Sequence, residues 1–133
     1  MIERVRGYGL LWRRAKEEQR LVIEGLRIAF LNSPGQVWPV NATVATVAGE
    51  IMALIHDPPT PPKGSHRRAE SRTERLARWR FDVIIAATAL VARMPLIHNN
   101  AADFEAIRSA IERSPGRFRD LDPLELIRCT SLA

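Results

Sequence analysis

The first part of the chain places its apolar residues with the period of an α-helix. The positions that recur at intervals of three and four residues are Tyr8, Leu11, Trp12, Ala15, Val22, Leu26, Ala29 and Phe30. This spacing predicts a helix over residues 3–30 with one apolar face toward a core. The turn-forming segment 32–35 then ends it, since it contains asparagine, serine, proline and glycine in succession.

A second helical pattern covers residues 42–55, and Asn41 is the residue type that caps a helix at its start. Its apolar face comprises Val44, Val47, Ala48, Ile51 and Leu54. Between the two helices, residues 36–40 form a strand candidate. Pro39 confines that strand to an end or an edge of a sheet, because proline has no N–H group to donate.

The second half of the chain combines helices with short strands. Four prolines between Asp57 and Ser65 predict an extended surface segment rather than helix or central strand. A helix is then predicted from about residue 69 to residue 92, either continuous or broken near Phe81. Its second part is very apolar and begins at Asp82.

The remaining segments predict a strand over 94–99, a helix over 103–113 and a strand over 124–129. Helices that alternate with short strands predict an α/β fold, with a short parallel sheet and helices on both faces. Ligands of such sheets bind beyond the carboxyl ends of the strands. Asn100 and Asp103 follow the first of these strands, which directs them toward that region.

Composition limits the class of protein. With 133 residues and 46% hydrophobic residues, the chain has the size and the apolar content of one domain with a core. The single cysteine excludes an internal disulfide framework and a cysteine zinc site. The apolar run 83–92 is too short to cross a bilayer, and the amino terminus has no secretory signal pattern. We therefore expect a soluble, cytoplasmic protein that does not act at a membrane.

Positive charge is concentrated between residues 63 and 80. This segment contains seven basic and two acidic residues, so it accounts for the net charge of +5 of the whole chain. A patch of this kind attracts phosphate backbones, and it is equally typical of a solvated helix face or of a contact surface for an acidic protein. The arginines that would bind RNA are Arg67, Arg68, Arg72, Arg75, Arg78 and Arg80.

Acidic residues supply the candidate chemistry. Asp82 is flanked by apolar residues, which favours a partnered, functional carboxylate over an ordinary first-turn acid. Asp103 taken alone is more simply a helix N-cap, Asn100 a turn residue and Glu3 a first-turn acid. If the two aspartates meet, their oxygens suit Mg²⁺ or Mn²⁺, which can activate water and offset charge on a phosphodiester. His98 has no second histidine at metal-ligand spacing.

Two segments carry a resemblance to a known family. Residues 81–90, FDVIIAATAL, followed by residues 96–104, LIHNNAADF, resemble the PIN-domain family, especially the VapC-type toxins of prokaryotic toxin–antitoxin modules. Residues 3–7 look like the Glu-x-x-x-Gly start of the third helix of that family, and residues 124–128 look like its last strand. The resemblance implies a single three-layer α/β/α domain over residues 1–133, with a proline- and arginine-rich insert at about 57–80.

The same resemblance implies a function. It implies an endoribonuclease dependent on Mg²⁺ or Mn²⁺, in which Glu3, Asp82 and Asp103 match three members of an acidic quartet and Asn100 assists. It also implies an RNA substrate, a cognate antitoxin and a homodimer. The strand that carries the first acid of the quartet has no counterpart in this sequence, so the amino-terminal strands of the fold are expected to be missing. The alternative function is a catalytically inactive PIN-like remnant that binds RNA or an antitoxin.

Overall fold

A computed structural model describes residues 2–33, 35, 37–61, 63 and 70–129, and of residues 2–4 it describes the backbone alone. The elements are α1 (Ile2–Arg14), α2 (Glu17–Asn32), α3 (Ala42–Leu54), α4 (Arg72–Ala92), β1 (Leu96–His98), α5 (Ala101–Glu112) and β2 (Leu126–Arg128). This mixture of helices with a short parallel sheet confirms the α/β class. The chain divides into two units, Met1–Trp38 and Pro39–Ala133, and a single domain over the whole chain stays a prediction.

The first unit contains two helices, so the prediction of one helix over residues 3–30 is wrong. Helical structure is interrupted at Ala15 and Lys16, and the backbone N–H of Lys16 donates to the Gln19 side chain at 3.3 Å, which starts α2. The two helices contact each other through Tyr8 and Phe30, whose ring centroids are 6.1 Å apart. The Gln19 side chain thus accepts a hydrogen bond from the backbone at the start of the second helix, a local signal that the apolar period does not register.

The apolar face predicted for α2 is exposed. Val22 is 63% exposed and Leu26 is 55% exposed, and none of the residues of α2 is buried. The predicted strand over 36–40 is also wrong for the part that the structure describes, since residues 37–40 have no strand structure. Val37, Trp38 and Val40 are exposed there, and the absent N–H of Pro39 removes one ladder hydrogen bond.

The core of the second unit lies among α3, α4 and α5. Asn41 caps α3 as predicted, accepting a hydrogen bond from the backbone N–H of Val44 at 3.0 Å. The predicted apolar face of α3 is confirmed, since Ile51 is fully buried and Val47 packs partly buried against the core. The buried hydrophobic residues of this core are Val44, Ala48, Ile51, Trp79, Val83, Ala86, Ala87, Leu90, Phe104, Ile107, Ile111, Phe118 and Leu124.

Helix α4 is continuous, so Asp82 does not begin a helix. Ser71 caps it, accepting from the backbone N–H of Glu74 at 3.2 Å while its own hydroxyl and N–H both donate to the Glu74 carboxylate at 2.8 Å. These two hydrogen bonds hold the pKa of the Glu74 carboxyl below its usual value, and the bond from the Ser71 hydroxyl contributes more than the bond from the Ser71 backbone N–H. The helix ends where Arg93 adopts a left-handed conformation with φ of 54°. Asp82 therefore lies in the helix interior, where it is half-buried.

The sheet is a parallel pair in which Leu96 lies opposite Leu126 and Ile97 opposite Ile127. Both strands are shorter than predicted, and helix α5 between them begins at Ala101 rather than at residue 103. Leu96 and Leu126 pack against the core, whereas Ile97 is 54% exposed. Among the described residues, no helix is both long enough and apolar enough to cross a bilayer.

The position of the core predicts the effect of two matched substitutions. Ile107 is fully buried, so we expect Ile107→Ala to lower the free energy of unfolding by about 2–5 kcal/mol through lost burial and the cavity left behind. Ile97→Ala, at a position that is half exposed, should cost less than about 1 kcal/mol. Urea unfolding followed by circular dichroism measures both, and equal losses would contradict this placement of the core.

Candidate functional site

One amide nitrogen joins the two candidate carboxylates. Asn100 Nδ2 donates to Asp82 Oδ2 at 2.8 Å and also donates to Asp103 Oδ2. The two aspartates come from different helices, α4 and α5, and are 21 residues apart in the sequence. The condition that the sequence left open, whether the two aspartates meet, is therefore fulfilled to the extent that both bind the same amide nitrogen.

Local structure explains why the three side chains converge. Strand β1 ends at His98, and Asn100 is the N-cap residue of α5, although its side chain makes no capping hydrogen bond. Asp103 is the third residue of α5 and is only 8% exposed. The alternative that Asp103 is merely the N-cap is therefore wrong, because that position belongs to Asn100 and the carboxylate of Asp103 contacts the Asn100 amide instead.

His98, the last residue of β1, is buried. It is 5% exposed, and neither ring nitrogen has a hydrogen-bond partner among the described residues. Its ring lies against that of Phe104, with centroids 5.0 Å apart. Because Phe104 directly follows Asp103, this ring pair supports the turn that carries Asn100 and Asp103. The signal available in the sequence was its place in the alternation of β1, where it shares the core side with Leu96.

A basic stripe on α4 leads to the acidic pair. Arg72, Arg75, Arg78 and Asp82 are three, three and four residues apart, which places them along one side of the helix. A small cleft of about 30 Å³ brings Arg75 and Arg78 beside Asp103, and it is large enough for an ion or a water molecule but not for a nucleotide. The residues that line it are Pro58, Pro59, Pro61, Glu70, Arg75, Arg78, Ala102 and Asp103.

A second, open cleft of about 400 Å³ adjoins the first, since Pro58 and Arg75 line both. Asp57, Thr60 and Arg72 complete its lining. Its volume is in the range of small-molecule sites in proteins, so it has room for a nucleotide-sized group. Arg75 thus lies between a cleft that contains Asp103 and a larger cleft that contains a second arginine.

The stripe arginines differ in their partners. Arg72 pairs with Asp57 at 3.3 Å, and Arg78 pairs with Glu70. Arg75 makes no ion pair within the described part of the chain, and its Nε has no hydrogen-bond partner there. The sequence pattern does not identify Asp57 and Glu70 as partners of these arginines, although one begins the proline-rich segment and the other follows it.

The other predicted site residues are Glu3, Arg67, Arg68 and Arg80. Glu3 belongs to α1 in the first unit, and its side chain is outside the described residues. Arg67 and Arg68 are also outside the described residues, and Arg80 is exposed on α4. The described structure thus brings together Asp82, Asn100 and Asp103 with Arg75 and Arg78.

The oxygen atoms of this cluster fit a hard divalent cation. The amide N–H group of Asn100 carries partial positive charge, and it lies between the two negatively charged carboxylates and donates to both. The same two carboxylates, with the Asn100 carbonyl after rotation of its amide, would offer Mg²⁺ or Mn²⁺ three oxygen ligands. Within the described ranges no group of three or more histidine, cysteine or acidic side chains is placed to hold a metal, so the amide oxygen would have to contribute.

Comparisons with models of protein families, with curated proteins and with solved structures found no match.

The shared amide predicts a difference between two adjacent asparagines. Asn100→Ala removes the donor from two carboxylates, of which one is buried, so we expect a loss of about 1–3 kcal/mol in unfolding free energy. Asn99 is exposed, and Asn99→Ala should change stability by less than about 0.5 kcal/mol. Urea denaturation compares the two variants. Equal stabilities would mean that the Asn100 hydrogen bonds contribute nothing.

Proposed function

We propose that this protein is a PIN-like endoribonuclease that depends on Mg²⁺ or Mn²⁺ and acts as the toxin of a toxin–antitoxin module. Its fold would be the three-layer α/β/α arrangement of that family. Its partners would be an RNA substrate, a cognate antitoxin and a second copy of the chain. The observation that carries the proposal is the single Asn100 nitrogen that binds both Asp82 and Asp103.

Two half-buried or buried carboxylates held this close repel each other unless a positive group stands between them. In a protein interior that arrangement reduces stability, and it is typical of sites that bind a cation. When bound, the divalent ion would lower the pKa of a water molecule and offset charge on the phosphate. Asp82 and Asp103 would hold it, and Asn100 would fix the distance between them.

The neighbouring charge favours a phosphodiester substrate. Arg75 reaches the cleft that contains Asp103 and carries a charge that no described acid neutralises. Asp82 lies seven residues further along the same side of α4, which corresponds to about 10 Å of helix. A nucleic acid strand bound along α4 would therefore place one phosphate at Arg75 and a nearby one at the acids.

The catalytic part of the proposal is tested by Asp82→Asn, which keeps the shape of the side chain and removes its charge. We expect cleavage of RNA in the presence of Mn²⁺ to fall at least about 100-fold, since even indirect contacts to a metal contribute 10- to 100-fold. Asp122→Asn is the matched control, because Asp122 pairs with Arg93 at 3.5 Å and lines neither of the two clefts described. Unchanged cleavage in Asp82→Asn would remove the proposed site.

Calorimetric titration with Mn²⁺ separates this proposal from a non-catalytic binding module. An active site should take up Mn²⁺ and lose that uptake in Asp103→Ala. RNA binding without metal uptake or cleavage would identify the binding module instead, in which Arg75 still contacts phosphate.

The RNA-binding part is tested by Arg75→Gln. Loss of one phosphate contact should weaken binding and reduce the slope of log K against log salt by about 0.7 for a single strand. Arg119→Gln is the control, since Arg119 is exposed and lies 3.8 Å from Asp120. Fluorescence anisotropy with a labelled oligouridylate, between about 50 and 200 mM KCl, measures both. Equal effects of the two variants would assign the binding to net charge rather than to the cleft.

A further inference from the structure

Beside the acidic cluster, Glu70, Arg75 and Arg78 differ in how many of their polar atoms have hydrogen-bond partners. Arg78 binds one carboxylate oxygen of Glu70, and the second oxygen of that carboxylate is buried without a hydrogen-bond partner among the described residues. Arg75 lines the same cleft, and its Nε is a buried donor that also lacks a partner there. An acceptor without a donor and a donor without an acceptor thus line one small cleft.

The proline wall of this cleft offers no backbone N–H to the second carboxylate oxygen of Glu70. It is formed by Pro58, Pro59 and Pro61, and a prolyl nitrogen has no hydrogen to donate to a carboxylate. The Glu70–Arg78 pair is also largely withdrawn from solvent, with 23% and 32% of the two side chains exposed, so water compensates it only in part. Glu70 therefore binds Arg78 through one oxygen and does not bind Arg75 Nε.

A phosphate group would satisfy both arginines at once. It presents several acceptor oxygens, so it can bind the Arg78 guanidinium in place of Glu70 and at the same time accept from Arg75 Nε. We infer that the Glu70 carboxylate occupies the position of a substrate phosphate on Arg78 and must be displaced when RNA binds. This inference rests on the proposed function, because the displacing group is taken to be a phosphate of RNA.

The exchange makes Glu70 a regulator of the site. While Glu70 holds Arg78, Arg75 is the one arginine of the cleft that has no acidic partner among the described residues, and RNA affinity is kept low. In the complex the released carboxylate stays near the bound phosphate, so the net charge that RNA neutralises is smaller than the number of arginines implies. Removing the charge of Glu70 should therefore raise the affinity and steepen its salt dependence.

The test compares three variants that remove one negative charge each. Glu70→Gln releases Arg78, Asp57→Asn releases the exposed Arg72, and Glu50→Gln breaks the pair with Arg117, which lines neither cleft. Binding of a labelled oligouridylate is measured by anisotropy without divalent cation, between about 50 and 200 mM KCl. Thermal unfolding followed by circular dichroism confirms that each variant is folded.

We expect Glu70→Gln to bind about fivefold more tightly than the unaltered protein, the range of partly exposed ion pairs, with a salt slope steeper by about 0.7. Glu50→Gln should stay within about twofold, and Asp57→Asn should change the affinity less than Glu70→Gln, since the side chains of the Arg72–Asp57 pair are 74% and 66% exposed. An effect of Glu70→Gln no larger than that of Asp57→Asn would overturn the inference, as would the absence of RNA binding in every variant. Tighter binding of Glu70→Gln with no Mn²⁺-dependent cleavage by the unaltered protein would contradict the nuclease proposal and leave the role of Glu70 standing.

Discussion

The hydrogen bonds of the Asn100 amide are the interaction on which the second unit of this protein depends. They connect the interior of α4 to the first turn of α5, just after the end of β1. A donor between two carboxylates in this setting reduces their mutual repulsion. The same requirement for positive charge fixes the local structure and suits the cluster to a cation. Stability and proposed chemistry therefore share one physical cause.

The parts of this unit that the sequence predicts are those with local signals. Asn41 marks the start of α3, and the apolar spacing from Val44 to Ile51 identifies its buried face. The parallel pairing of β1 and β2 follows from the helix between them, because a parallel pair needs a crossover. The position of Asn100 and Asp103 just after β1 was also foreseeable, since polar residues that follow a parallel strand gather at its carboxyl end, whereas their contact with Asp82 was not.

The features that the sequence does not predict depend on how the elements pack against one another and on where each helix is capped. The period of Val22 and Leu26 establishes that α2 has an apolar side, but a period does not say what covers that side, and here both residues are exposed. Asp82 was placed at a helix start because the apolar run follows it, whereas Ser71 and Glu74 are the residues that begin α4. A capping box eleven residues upstream outweighs a change of hydrophobicity, since it satisfies free backbone N–H groups.

Charge composition does not predict which arginines are paired with acids, because that also depends on tertiary structure. The pairing matters for the proposed function. Seven basic residues between positions 63 and 80 indicate a strong anion-binding surface, yet the counterions of each arginine are decided by tertiary structure. Arg72 pairs with Asp57, which begins the proline-rich segment, and Arg78 pairs with Glu70, which follows it, whereas no acid among the described residues pairs with Arg75 in the cleft that contains Asp103. Binding of an anion here would therefore be an exchange of partners rather than a simple attraction. An exchange of this kind favours a ligand with several acceptor oxygens over a single carboxylate, because only the former can bind two guanidinium groups together.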